Sequence, residues 1–315
     1  MDLRIDQITD RTDRIREFRL VRSDGSALPA WSPGAHVEVD LGEIGARAYS
    51  LIDWACETET PSSYTIAVQR EDPGDGGSRA MHAFSISDEI SVSEPKQDFP
   101  LTQSTEPIYL LAGGIGITPL ISMASTLLAE GRPFELHHAC RSRSVAAYVD
   151  ELCTTFAGAY HLHTDDSNPI DLEGIVRRAA DANAHLFICG PKGMIDATRA
   201  LAEGVGIAKE RVHVELFATP RAESNSDSSF DVEIHDTGQV FTIPPGQNII
   251  SVLSAAGIDL IYDCQRGDCG ICQVDVIDGI PDHRDVVLTD AEKAKNDVMQ
   301  ICVSRAKSPR LVLDI

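Results

Sequence analysis

Cys264, Cys269 and Cys272 stand with four and then two residues between them, and Cys302 follows after 29 more. Four thiolates in that spacing ligate one [2Fe–2S] cluster: a short loop brings three sulfurs together and a returning segment brings the fourth. Gly267 and Gly270 suit a loop that must curl around the metal, because glycine enters positive φ without a Cβ clash. Zinc and disulfides are the competing chemistries. Zinc sites usually pair two C-x2-C hairpins, and this chain has one.

Three further stretches carry glycine where a ligand can approach the backbone. Ala112-Gly113-Gly114-Ile115-Gly116-Ile117-Thr118-Pro119 follows an apolar run and opens a helix. Such a turn can bind phosphate through unpaired N–H groups; it can equally serve tight packing. Pro119 suits the first helical position, where a missing N–H costs nothing. The stretch is not the G-x-G-x-x-G fingerprint. Cys189-Gly190-Pro191-Lys192-Gly193-Met194 again ends an apolar run and opens a helix, and two such turns on one parallel sheet mark its ligand crevice. Gly76-Gly77-Ser78-Arg79 can hold a phosphate or form a plain hairpin loop. Arg47-Ala48-Tyr49-Ser50-Leu51 sets a cation, an aromatic ring and a hydroxyl on one strand. They can cradle a polar heterocycle, or be a surface Arg and a core Tyr.

The elements that must position these residues fall into three blocks. Residues 1–103 show short alternating runs, Leu3–Ile8, Ile15–Val21, Val37–Leu41, Arg47–Ile52, Tyr64–Gln69 and Glu89–Ser93, separated by turn-formers. They predict a small antiparallel barrel, interrupted by a helix over Ser78–Phe84. Residues 104–223 alternate strand and helix, which predicts a parallel sheet with helices on both faces. Ala218–Ser229 reads as a polar flexible connector, with 224–229 as the linker proper. Residues 230–315 hold the cysteine loop between further strands and a helix over Ile249–Ala256. The fold class is therefore multidomain, α/β plus β.

Composition fits this division. At 315 residues, 43% hydrophobic and 24% charged, the chain is globular. The charged N-terminus and the lack of an 18-residue apolar run predict no signal core and no membrane span. Eight cysteines, four of them assigned to iron, point to a reducing cytoplasm. Cys56, Cys140 and Cys153 are expected to be buried small hydrophobes. A net charge of −22 disfavours nucleic acid and anionic membrane as partners and suits docking to a basic protein surface.

Arg-x-Tyr-Ser, Gly-Gly-Ser-x-x-Met-His, Gly-Gly-Ile-Gly-Ile-Thr-Pro, Cys-Gly-Pro and the C-terminal cysteine loop, in this order, resemble the phthalate dioxygenase reductase family across essentially the whole chain. The resemblance implies an FMN-binding barrel, a nicotinamide-nucleotide domain and a β-grasp, plant-type ferredoxin domain. Arg47, Ala48, Tyr49 and Ser50 would line the flavin, and Gly76, Gly77 and Ser78 would hold its phosphate. FMN rather than FAD rests on the resemblance alone. Gly113, Gly114, Gly116, Thr118, Pro119, Cys189, Gly190 and Pro191 would contact NADH. Phe217, in Glu215-Leu216-Phe217, would stack on the flavin, the alternative being a core residue at a strand end. Ser50, Thr118 and Cys189 would position the reacting rings.

The implied activity is hydride transfer from NADH to FMN, then single electrons through the cluster to a Rieske-type terminal oxygenase or demethylase component. The chain would be monomeric in isolation. A reductase releasing free reduced flavin and a carrier or sensor without turnover are the rival readings. Arg141-Ser142-Arg143 follows the second strand of the nucleotide domain, where a 2′-phosphate can lie, so NADPH stays open although the family leans to NADH. Asp268, inside the cysteine loop, departs from the small or apolar residue common there and is expected to lower the cluster's potential. Asp282-His283-Arg284-Asp285 also resembles the family but receives no role from it.

Overall fold

The computed structural model describes residues 1–56, 58–72, 76–217, 227–262, 264–267 and 269–315. Part of the expected linker (224–226) and Asp268 lie outside these. The chain divides into two compact units, Met1–Phe217 and Ala218–Ile315.

Unit 1 opens with the alternating runs. They form β1 (Asp2–Thr12), β2 (Ile15–Val21), β3 (His36–Asp40), β4 (Ala46–Ser50), β5 (Tyr64–Gln69) and β6 (Glu89–Ser91), with helix α1 (Gly77–Ala83) before β6. Among the described residues β5-β2-β1-β6 make one antiparallel sheet and β3-β4 a ribbon. Bridges from Val39 to Val92 and from His36 to Lys96 join the ribbon to the chain beyond β6. The two sheets thereby wrap one core around Leu3, Phe18, Leu20, Val37 and Met81, the barrel-like arrangement expected.

The second half of unit 1 runs β7 (Ile108–Gly113), α2 (Ile117–Ala129), β8 (Phe134–Cys140), α3 (Val149–Thr155), β9 (Tyr160–Thr164), α4 (Leu172–Asp181), β10 (His185–Cys189), α5 (Lys192–Gly204) and β11 (Val212–Glu215). The strands are parallel, in the order β11-β10-β7-β8-β9. Every residue of β7 and β10 is buried, as strands covered on both faces require. The strand order reverses between these two, and their C-terminal ends carry the two glycine turns. Helix α3 begins later than its apolar pattern suggests, because Tyr148 sits at φ 64 and interrupts it. Pro119 is the third residue of α2, still within the first turn that tolerates a missing N–H.

Barrel and parallel sheet share a core: Ile15, Ile52, Ala67 and Phe99 pack with Ile117, Leu120 and Met123. The buried Ser122 hydroxyl on α2 donates to Leu51 O and accepts from the Asp53 N–H, each at 2.9 Å. Tyr148 donates to Glu17 at 2.7 Å, and Arg11 covers its ring while pairing with Glu17 at 2.9 Å. The Ser122 bonds fix the end of β4 relative to α2, and the Tyr148–Glu17 bond ties the start of α3 to β2.

Unit 2 contains β12 (Phe230–Ile234), β13 (Val240–Ile243), α6 (Ile249–Ala255), β14 (Gln273–Asp278), β15 (Pro281–Asp282), α7 (Asp290–Lys295), β16 (Val298–Gln300), β17 (Arg305–Ala306) and β18 (Arg310–Asp314). The main sheet runs β13-β12-β18-β14-β16, with β12 and β18 parallel at its middle. Ile250 and Leu253 of α6 share the core of Val232, Leu311 and Leu313, a β-grasp. Asp227, counted with the linker on composition, is instead anchored: its buried carboxylate pairs with Arg284 at 2.7 Å and Arg305 at 3.3 Å.

Burial pushes the His137 and His138 imidazoles on β8 down to about 4. His138 uses both nitrogens while neutral: Nε2–H donates to Gly114 O at 3.0 Å, and Nδ1 accepts from Tyr160 at 3.1 Å. A depressed histidine pKa means the unfolded chain takes up protons first as pH falls. Stability present above about 6.5 is then lost progressively toward pH 4, by about 2 kcal/mol per imidazole at pH 5. Urea unfolding of unit 1, followed by the fluorescence of Trp31 and Trp54, should show a lower midpoint at pH 5 than at pH 7.5. Equal midpoints would contradict this origin of acid sensitivity.

Candidate functional site: a cysteine loop, two glycine turns and a barrel strand

In the cysteine loop, Cys272 and Cys302 are buried and Cys264 and Cys269 are half-buried. Gly267 and Gly270 both sit at φ 79, closed to most side chains. A Cβ on Gly267 would lie 2.6 Å from Val303 Cγ2, and one on Gly270 would lie 3.2 Å from Val287 Cγ1. The loop can therefore curl only with glycine at these points.

Backbone donors are aimed at the sulfurs. Arg266 N–H reaches Cys264 Sγ at 3.3 Å, the Gly267 backbone bonds Cys302, and the Cys302 backbone bonds Cys272. The hydrogen bond between the Cys272 and Cys302 thiols pushes Cys302 up and Cys272 down. Neighbouring buried thiols lose both protons only when a cation arrives. Four sulfurs, three of them met by backbone N–H donors, fit a thiolate-held iron cluster.

On β4, Ser50 is buried and its Oγ has no hydrogen-bond partner among the described residues. An orphaned hydroxyl costs roughly 1–3 kcal/mol unless a ligand pairs with it. Tyr49 is half-buried against the barrel core, and burial pushes its hydroxyl up to about 12. Ala48 is exposed. The Arg47 side chain lies across Gly77, where a Cβ would meet Arg47 Cγ at 2.8 Å. Gly76 turns the chain at φ 85, and Ser78 Oγ accepts from Glu71 N–H at 2.9 Å. The strand and the glycine turn are thus one contiguous feature, as a flavin with its phosphate tail would need.

At the sheet crevice the two glycine turns touch backbone to backbone. A Cβ on Gly116 would collide with Cys189 O and lie 2.9 Å from Gly190 N. One on Gly113 would collide with Pro191, and one on Gly190 would lie 2.8 Å from Gly113 Cα. Packing therefore explains these three glycines. Gly114 differs: its φ is 56 and the space beside it is open. Thr118 is buried, with its hydroxyl donating to Ile115 O at 3.1 Å. Pro191 caps the start of α5.

Buried Cys189 points its thiol at the buried Glu215 carboxylate, 3.9 Å away. Phe217 is 44% exposed, so it is not a core residue. Motif reading quoted Glu215 only as a neighbour of Phe217, and missed its place beside the Cys189 thiol and the prop that His138 gives Gly114. A charged residue ending an apolar strand was the available signal for Glu215; His138 carried none.

Of the cysteines left over, Cys140 is buried, and burial pushes its thiol up to about 11. Cys56 and Cys153 are exposed, contrary to expectation. Glu135, His137 and His161 offer ligand atoms within 4.8 Å of one another. The His137 and His161 rings stack at 21°, however, so their in-plane lone pairs do not meet, and His137 already bonds Glu135 and His163.

Residues 232–307 match the 2Fe-2S iron-sulfur cluster binding domain, and residues 110–200 match the oxidoreductase NAD-binding domain. The chain is 42% identical to vanillate O-demethylase oxidoreductase of Pseudomonas sp. (strain HR199 / DSM 7063), over 96% of this chain and 95% of the relative. It is 36% identical to a carnitine monooxygenase reductase subunit of Acinetobacter baumannii, over 99% and 96%. The crystal structure of phthalate dioxygenase reductase superposes with a TM-score of 0.72 at 33% identity, covering 100% of this chain and 98% of that one.

Gly116→Ala should destabilise unit 1 by roughly 1–3 kcal/mol through overpacking against the Cys189–Gly190 peptide, and weaken NADH binding. Urea unfolding and NADH titration check both. Parental values for the two would show that the turns do not need their close approach.

Proposed function

This chain belongs to the iron–sulfur flavoprotein reductase family of phthalate dioxygenase reductase and vanillate O-demethylase oxidoreductase, and we propose that it serves an oxygenase or demethylase as its NADH-dependent reductase component. When bound, nicotinamide, flavin and cluster supply a hydride step followed by one-electron steps. The observation that carries this reading is the joining, in one chain, of an orphaned buried hydroxyl at Ser50, two glycine turns at the ends of β7 and β10, and a four-thiol loop.

Residues 1–103 hold FMN, 104–223 hold NADH, 224–229 link, and 230–315 hold the cluster. Ser50 donates to the flavin ring that Arg47, Ala48 and Tyr49 line, while Gly76, Gly77 and Ser78 take its phosphate. The open side of Gly114, with Gly113, Gly116, Thr118, Pro119, Gly190 and Pro191, admits the pyrophosphate. Cys189 orients the nicotinamide, with Glu215 behind its thiol. Exposed Phe217 would stack on the flavin. NADH is taken over NADPH from the family likeness, with Arg141 and Arg143 as the residues a 2′-phosphate would meet.

The acceptor is a Rieske-type oxygenase component, met by a monomeric reductase in the cytoplasm. No helix among the described residues is long and apolar enough to cross a membrane. Ile261, Tyr262 and Ile271, beside the cluster cysteines, are 80%, 40% and 46% exposed and give that acceptor a dry contact. The chain's −22 charge supplies the longer-range attraction.

Three measurements test this. NADH-driven cytochrome c reduction should be lost in a chain truncated before Phe230, while flavin reduction persists; an unchanged rate would favour release of free reduced flavin. Ser50→Ala should slow flavin reduction with little change in NADH affinity, and a parental rate would remove Ser50 from the site. Electron transfer to the oxygenase should slow as salt rises, and a flat salt profile would contradict electrostatic docking.

A further inference from the structure

Asp282-His283-Arg284-Asp285 packs behind the cysteine loop, and its last residue is 1% exposed. One carboxylate oxygen of Asp285, Oδ2, accepts from the backbone N–H of Val287 at 3.0 Å and of Leu288 at 2.7 Å. The other, Oδ1, faces His283 Nδ1 at 3.9 Å, beyond hydrogen-bond reach. Lys293 Nζ donates to the Asp285 carbonyl at 2.7 Å. The 285–288 turn is therefore folded around a single buried carboxylate.

That turn holds the metal-binding segments on two sides. Val286 N–H donates to Gly267 O at 2.9 Å. A Cβ on Gly267 would lie 3.2 Å from Asp285 Cα, and the Val287 side chain covers Gly270. The Gly267 backbone in turn bonds Cys302. One residue before the turn, Arg284 N–H donates to Ser304 Oγ at 3.2 Å, two residues beyond Cys302 in the turn between β16 and β17. The loop bearing three cysteines and the segment bearing the fourth are thus tied to the same few residues.

We infer that Asp285 is a positioning residue for the iron–sulfur cluster, setting the turn that presses the Gly267 peptide against Cys302. The inference rests on the reading of the four cysteines as cluster ligands. It gives the Asp282–Asp285 stretch a task that four-thiolate ligation leaves unfilled. Asparagine at 285 retains the oxygen that serves Val287 and Leu288, and turns its NH2 toward His283. Alanine removes the acceptor altogether and strands two buried N–H groups.

The test uses the full-length chain with its cluster, reduced with dithionite. Electron paramagnetic resonance gives the g-values, and bleaching of cluster absorbance in dilute urea gives the loss rate. Asp285→Ala should shift the g-values and release the cluster faster, while Asp285→Asn should restore both to the parent's. Lys293→Met, which loosens the same turn more gently, should move both readouts in the Asp285→Ala direction even if that variant does not accumulate.

Leu313→Ala, which weakens the same domain's core, should keep the parental g-values. Parental g-values and loss rate in Asp285→Ala, equal shifts in Asp285→Asn and Asp285→Ala, or the same g-shift from Leu313→Ala would each overturn the positioning role. So would parental readouts in Lys293→Met if Asp285→Ala does not accumulate. A parent chain with no [2Fe–2S] signal would instead overturn the cluster reading beneath it.

Discussion

A hydride passes only between atoms held in near contact, and helix α2 is where unit 1 meets that requirement. Its first turn follows the glycine stretch that presses on Gly190 at the sheet crevice. One turn later Ser122 grips Leu51 and Asp53, at the end of the strand that carries Tyr49 and Ser50. The glycine stretch and the strand of Tyr49 and Ser50, which the proposal gives to nucleotide and flavin, thus register on one rigid helix, every residue of which from Ile117 to Ser125 is buried. Buried hydrogen bonds of this kind contribute little net stability each, but leaving them unmade is expensive. That asymmetry makes the joint specific rather than merely adhesive.

Unit 2 meets a different demand. Thiolates in a buried loop need compensating charge and donors, or they remain protonated. Backbone N–H groups of the loop supply part of this at Cys264, Cys272 and Cys302, and iron supplies the rest. Positive φ at Gly267 and Gly270 is what lets the peptides turn inward to do so. Hydrogen bonds to the sulfurs and their solvent exposure set where a cluster sits on the potential scale. The half-buried Cys264 and Cys269 lie on the accessible side, where an acceptor can come close.

Chemistry confined to a short stretch was legible in the sequence. Spacing alone singled out four cysteines within the segment that matches a 2Fe-2S domain, and strands such as Ile15–Val21 and Phe134–Cys140 followed from apolar runs between turn-formers. The glycine turns were legible as features but ambiguous in purpose. Sequence cannot tell a glycine that leaves open space beside it, such as Gly114, from one that admits another backbone, such as Gly116. Ser122 and His138 act across tens of residues of chain, and no local pattern marks a hydroxyl or an imidazole that will bond a distant carbonyl. The two-residue strands β15 and β17 exist only because they pair with each other. Helix α7 was readable after all, through the Thr289-x-x-Glu292 capping box. Exposed Cys56 and Cys153 show the weakness of treating an unassigned cysteine as core by default.

Both units matter only if electrons cross from one to the other, and an anaerobic NADH titration of the intact chain reads that crossing directly. Flavin absorbance and the low-temperature electron paramagnetic resonance of the cluster would be followed together. The expected result is a cluster signal that appears with the first additions of NADH and is absent when Cys302 is replaced by serine. Complete bleaching of the flavin with no cluster signal would contradict the assignment of the cysteine loop as the exit for electrons.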